Sequence, residues 1–384
     1  MRIAAAQRLQ RTTLVIAGLA FAALAIGIAV DTTRALTSLL VGALLVLGLA
    51  VGGLVWLSIF AVANAGWTAV LKRVFEGFAG FVPVGALLLL ATTPGLSHLY
   101  EWARPAARTD HLLALKAAYL NPVFFVARMA LIVGAWTFFS WRMRQISVAQ
   151  DVSGDVTATR RAVRTAAGFL VVFAVTSCVG SFDWLMTLEA RWFSTIFGLY
   201  NIAGILVSSV TGVAIAAILL RRAGLLPELR PAHLHDLGKL MLGLSTFWAY
   251  LWFSQFLLIW YANLPEETAY NELRWQGGWT PLLFGNLVVN WALPFLLLLP
   301  REAKRHEARV LSIGALLLAG RCLDLWLMAA PSNFPERPMP GALEIAGVIG
   351  PLALFVFWVT RNFQRVPLIA KNDPYLVESL HHHT

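Results

Sequence analysis

A chain of 384 residues that is 59% hydrophobic and 13% charged, with a mean hydropathy of +0.71, carries more apolar surface than a soluble core can bury. The bilayer is the solvent that removes this excess, so a water-soluble enzyme is excluded. A net charge of +10 and a pI near 10.1 would suit nucleic acid, but the charges are placed as membrane topology places them, so no nucleic-acid partner is expected.

Ten runs have the length and apolarity of a spanning helix: 12–30, 36–62, 78–97, 121–141, 163–183, 193–220, 240–263, 279–299, 309–330 and 342–360. The first occupies the place of a signal peptide. Its apolar stretch is too long for one and no small-x-small site follows, so it is expected to remain as a helix. The third ends at His98, followed by Tyr100 and Glu101. Arg128 lies in the fourth, and Asp183 closes the fifth. After the seventh comes a polar segment with Glu266 and Glu267, the expected contact with an extracytoplasmic partner. The ninth holds Arg321 and Asp324, whose i, i+3 spacing puts them on one face.

Loop charges orient the spans. With the N-terminus inside, the outer segments carry Arg34, Arg104, Arg108, Lys116, Arg191, Arg274 and Arg337. Apart from Arg128 and Arg321, every other Lys and Arg falls inside, an excess of about threefold. Both termini are therefore expected in the cytoplasm, with 361–384 as a mobile tail. Trp67, Trp102, Trp141, Trp192, Trp260, Tyr261 and Trp279 lie where an aromatic belt would.

The fifth span ends Phe182-Asp183-Trp184-Leu185-Met186, and the ninth carries Leu323-Asp324-Leu325-Trp326-Leu327-Met328. Both run outward and they lie four spans apart in the order. A parallel repeat would make spans two to five and six to nine two related four-helix bundles, although so short a match also arises by chance.

An ionised side chain at mid-bilayer costs roughly 2.5–3.5 kcal/mol on insertion scales, so such groups are rare and have partners. Here they are Asp183, Asp324, Arg321, Arg128 and His98, gathered near the outer face. They could form a proton route or quinone pocket, since quinol oxidation needs a base close to the hydroxyl. They could equally be ion pairs that fix packing. Cys178 and Cys322 have no cluster or haem spacing, and no His falls mid-span, so the chain is expected to bind no haem, cluster or metal.

Several segments occur together: Ser181–Met186 with Trp192-Phe193-Ser194-Thr195-Ile196-Phe197-Gly198, His233-Leu234-His235-Asp236-Leu237-Gly238-Lys239-Leu240, and the run Phe247–Thr268 with Trp260-Tyr261-Ala262-Asn263-Leu264-Pro265-Glu266-Glu267-Thr268. Over nearly its whole length the chain resembles the smaller polysulfide-reductase-like (NrfD-like) integral membrane subunit, the F-type subunit, of alternative complex III. The ending Glu378-Ser379-Leu380-His381-His382-His383 fits too, which speaks against a purification tag.

That resemblance implies an all-α transmembrane fold of ten helices. Two four-helix bundles, 36–183 and 193–330, would be flanked by helices 12–30 and 342–360. It also implies a respiratory or photosynthetic quinol:electron-acceptor oxidoreductase in the bacterial cytoplasmic membrane. The partners would be a larger paralogous membrane subunit, an iron–sulfur, molybdopterin-enzyme-like subunit and multihaem cytochrome c subunits, with lipids at the seams. Haem c and iron–sulfur clusters would sit in those partners. This chain would supply a proton path or support for a quinol or menaquinol site. The alternatives are a stand-alone secondary transporter and an assembly subunit without chemistry.

Overall fold

The computed structural model describes residues 3–383 and is all-helical, 83% helix, with no strand among the described residues. Ten of these helices are long and apolar enough to cross a membrane. They are α1 (Ala6–Val30), α2 (Thr32–Val62), α3 (Gly66–Leu99), α4 (Pro122–Ser153), α5 (Thr157–Glu189), α6 (Phe197–Arg222), α7 (Pro231–Ala262), α8 (Trp279–Leu298), α9 (Glu307–Asn333) and α10 (Ala342–Arg365). The protein is therefore built as a multi-pass membrane protein.

Short polar signals set the helix ends. The Asp31 carboxylate accepts from the Arg34 N–H at 3.1 Å and opens α2. The Asn121 amide oxygen accepts from the Phe124 N–H at 2.9 Å, with Pro122 at the first helical position of α4. Gly154 (φ 66°) ends α4 and Asn263 (φ 50°) ends α7, both left-handed.

The helices outrun the predicted apolar cores. α4 continues to Ser153 and α7 starts at Pro231, because a charged turn beyond the apolar run does not end a helix. The larger difference is α3, which starts at Gly66 rather than 78. Lys72 and Arg73, assigned to a loop, lie on it, and Arg73 is buried. α3 is also broken at Gly80–Phe81 and again after Leu90.

α2 is the axis of the molecule. Every residue from Ala35 to Ser58 is buried. α3, α5, α6, α9 and α10 all pack on it. Around this axis α2, α3, α4 and α5 touch in cyclic order, and so do α6, α7, α8 and α9. α1 and α10 pair with each other and lie against α2. The closest crossing joins α2 to α10: a Cβ on Gly42 would stand 1.8 Å from the Gly347 carbonyl oxygen, and one on Gly347 would stand 2.6 Å from Ser38. Only glycine admits backbones this close, the means by which membrane helices gain dispersion contact.

The segment after α10 is not a free tail. Lys72 Nζ pairs with Asp373 at 2.6 Å, and the Tyr375 hydroxyl donates to Asn64 at 3.0 Å. The Ser379 hydroxyl donates to the Trp67 carbonyl at 2.6 Å. The His382 ring stacks on Trp67 and meets Asp236. His382 is thus docked against the N-terminal turns of α3 and α7.

Candidate functional site

Asp324 lies on the inward face of α9 and is 1% exposed. Arg321 Nη1 donates to its Oδ2 at 2.6 Å, and Trp248 Nε1 on α7 donates to the same oxygen at 3.3 Å. Oδ1 accepts from the Tyr200 hydroxyl on α6 and from Asn286 Nδ2 on α8 at 3.2 Å. One carboxylate thus ties together all four helices of the second ring. Asn290 Nδ2 donates onward to Asn286 Oδ1 at 2.7 Å. Asn290 sits in a π-helical turn, Val288–Ala292, and packs against Gly320, where a Cβ would come 2.6 Å from its Oδ1. A π turn widens one turn of the ladder and turns the asparagine toward α9.

Arg321 also reaches the first ring. Its Nη2 donates to Asn201 Oδ1, and Asn201 Nδ2 donates to Ser181 Oγ on α5 at 2.8 Å. Gly204 makes room for the guanidinium, since a Cβ there would stand 2.2 Å from Nη1. The Ser181 hydroxyl ends the chain on the Ser177 carbonyl at 2.6 Å.

Above Asp324, toward the end of the molecule that carries Glu189 and Arg274, is a small cavity of about 40 Å3. Asp324, Asn286, Tyr200, Tyr270, Arg274 and Gln255 border it. Gln255 Oε1 is buried and has no hydrogen-bond partner. A buried water needs roughly 10–15 Å3 and two to four polar partners, so a few waters fit beside the carboxylate. The lid is the short helix Pro265–Arg274. Its Arg274 pairs with Glu189 at 2.8 Å, donates to the carbonyls of Leu327 at 2.9 Å and Tyr270 at 2.8 Å, and stacks on the Tyr270 ring at 3.4 Å. Tyr270 stacks in turn on Trp192, with centroids 3.9 Å apart. Burial pushes the Tyr270 hydroxyl up to about 12, so at neutral pH it is a donor and not a base.

Asp183 is buried differently. Both its oxygens are taken by Arg128, at 2.8 Å and 3.2 Å. Arg128 also donates to the Tyr119 carbonyl at 2.9 Å and stacks on Tyr119 and Phe124. Burial, and then the Asp183 charge, push the Tyr119 hydroxyl up to about 12. This constellation fastens the segment before α4 to the end of α5.

Of the expected set, Asp324 and Arg321 form one centre, and Asp183 and Arg128 another. His98 is exposed and belongs to neither. Glu266 is exposed and Glu267 partly so, both in the first turn of the lid helix, where carboxylates suit the helix dipole. The sequence reasoning missed Tyr200, Trp248, Gln255, Asn286 and Asn290. An amide inside an apolar run was the available signal, for it costs free energy unless bonded. It also missed Glu76, which is buried and pairs with Arg73, itself paired with Asp151 at the opposite end of the first ring. Among the described residues no group of three or more His, Cys, Asp or Glu could hold a metal ion.

No family model matches the chain, and neither does any curated protein.

Proposed function

We propose that the chain is a membrane subunit, without a redox cofactor of its own, of a quinol-oxidising electron-transfer complex of the alternative complex III kind. It would sit in the bacterial cytoplasmic membrane with both termini inside. The observation that carries this is Asp324: a buried carboxylate on α9, beside a cavity large enough for water, under a lid held by the Arg274–Glu189 ion pair, the Arg274 bond to the Leu327 carbonyl and the Tyr270–Trp192 stack. Such a group can accept a proton released by quinol oxidation and pass it to the outer water when the lid loosens. Arg321, Asn201 and Ser181 are positioning residues that hold the carboxylate between the rings. The two cyclic sets of four helices support a reading as paired four-helix bundles, one ending in Asp183 and the other in Asp324.

The electrons would travel through partner subunits holding iron–sulfur clusters and c-type haem. The test is gentle extraction from the native membrane and a reduced-minus-oxidised spectrum of what co-purifies. Co-purified haem c reduced by quinol is expected, and the Asp324→Asn complex that survives extraction should turn over slowly for each haem it retains. An intact protein that emerges colourless and alone would sink the proposal.

One observation favours a second reading, a stand-alone secondary transporter. α3 is twice broken and α8 contains a π turn, and interrupted spans near a buried charge are how transporters build substrate sites. Solute uptake by the isolated protein in liposomes would decide for it.

A further inference from the structure

At the opposite end of the first ring, far from Asp324, lies another cavity, of about 90 Å3. It is bordered by the last turns of α2 and α4, the first turns of α3 and α5, and the segment after α10. Its walls are apolar, with Leu57, Phe60, Phe75, Met143 and Val163 facing it. The space is several times what one water needs. It accommodates a ring-sized or chain-like group.

The polar lining is selective. The charged groups are already balanced: Lys72 by Asp373 at 2.6 Å, and Glu76 by Arg73. A charged guest would therefore be buried without a counter-charge. What remains is a donor. The Ser147 hydroxyl lines the cavity, is 6% exposed and has no hydrogen-bond partner. Serines elsewhere in these spans, such as Ser177 and Ser181, donate to the carbonyl four residues back, so the unused hydroxyl is particular to this place. Thr159 accepts from Gln150 at 2.8 Å and keeps its own proton to donate. A hydroxyl that gives up its local bond beside an apolar cavity lacks an acceptor, and in a membrane that acceptor is a carbonyl.

We infer that this cavity is a binding site for an uncharged amphiphile whose carbonyl accepts from Ser147, with the segment bearing Asp373 and Tyr375 closed over it. Two molecules share that chemistry: an isoprenoid quinone head and the ester of a membrane lipid. The site stands on its own residues and does not depend on the role proposed for Asp324.

The purified protein in detergent would be illuminated with two uncharged probes in turn, an azido-benzoquinone bearing a short alkyl tail and a diacylglycerol with a diazirine in its acyl chain. Crosslinked peptides are then mapped. Label is expected on Met143–Gln150 or beside Tyr375. It should fall at least tenfold in Ala162→Phe, which fills the cavity, and about fivefold in Ser147→Ala, the worth of one neutral hydrogen bond. Label from the quinone assigns the site to a redox carrier, and label from the lipid assigns it to a structural lipid; either supports the site. Ala69→Leu is a second filling variant should Ala162→Phe not fold. If neither probe marks these peptides in the wild type, or if marking survives both a filling variant and Ser147→Ala at unchanged melting temperature, the inference is overturned.

Discussion

Replacing Asp324 by Asn keeps the side chain's shape and removes its charge. Arg321 is then left with a guanidinium buried to within 4% of full enclosure and no anion beside it. Its side-chain acceptors are then both neutral, Asn201 and the new amide oxygen. At such burial, water screens little of the interaction. Breaking a buried pair by removing one partner costs about 3–5 kcal/mol. The bonds from Trp248 and Asn286 add less, because polar groups unfolded within a membrane find other partners and average only about 0.6 kcal/mol each. The charge decides the outcome. Asp324→Asn should lower stability by about 3–5 kcal/mol, read from unfolding in mixed SDS micelles. The double variant Asp324→Leu with Arg321→Leu removes both charges and should recover most of the loss. A single variant within about 1 kcal/mol of wild type, or a double variant no better than the single, would refute the reasoning, since ordinary substitutions already span that range.

Gly42→Leu should abolish monodisperse folded protein on size exclusion, because the side chain would enter the α10 backbone, whereas Gly18→Ala, with nothing within 4 Å of its Cβ, should behave as wild type. Arg274→Ala should free the lid helix and make Leu264–Gly278 the first site of limited proteolysis, while Arg104→Ala should not. The raised Tyr270 hydroxyl has a signed consequence: the folded state holds that proton above the pH where the unfolded chain releases it. Its contribution is complete below about pH 10, the usual tyrosine value, and is lost as pH rises toward 12. The stability curve of Tyr270→Phe should therefore lack part of the decline seen for wild type between those values. His382→Ala together with Ser379→Ala should loosen the C-terminal segment, seen as faster amide exchange over Asp373–His381 with the ten spans unaffected.

The spans were legible because lipid forces every backbone group into a helix and sequence hydropathy reports the solvent directly. The pairing of Arg321 with Asp324 followed from spacing alone. Arg73 was misplaced for an equally physical reason: the sequence shows a charge after a polar turn, and only the tertiary structure brings Asp151 from α4 to balance it. The same holds for Asp183, whose partner Arg128 was seen but whose contact depends on how α4 meets α5. The docking of His382 was invisible, because Trp67 and Asp236 are far away in the chain and meet only where α3 and α7 begin. The cavity beside Ser147 could not be read at all, for a hydroxyl that lacks its usual carbonyl has no signature in sequence.

The enclosure of α2 bears on how the chain is made. It leaves the ribosome well before α10, yet α10 forms one of its walls. Until α10 is synthesised, the Gly42 face of α2 meets either lipid or the insertion machinery. With no charged residue from Ala35 to Val62 it can wait in lipid without loss, which a helix carrying a charged stripe could not do. Biogenesis then resembles closing a case on its spindle. A ribosome-bound chain truncated before residue 342 should leave cysteine probes at Gly42 open to lipid-soluble reagents, and release of the full chain should close them.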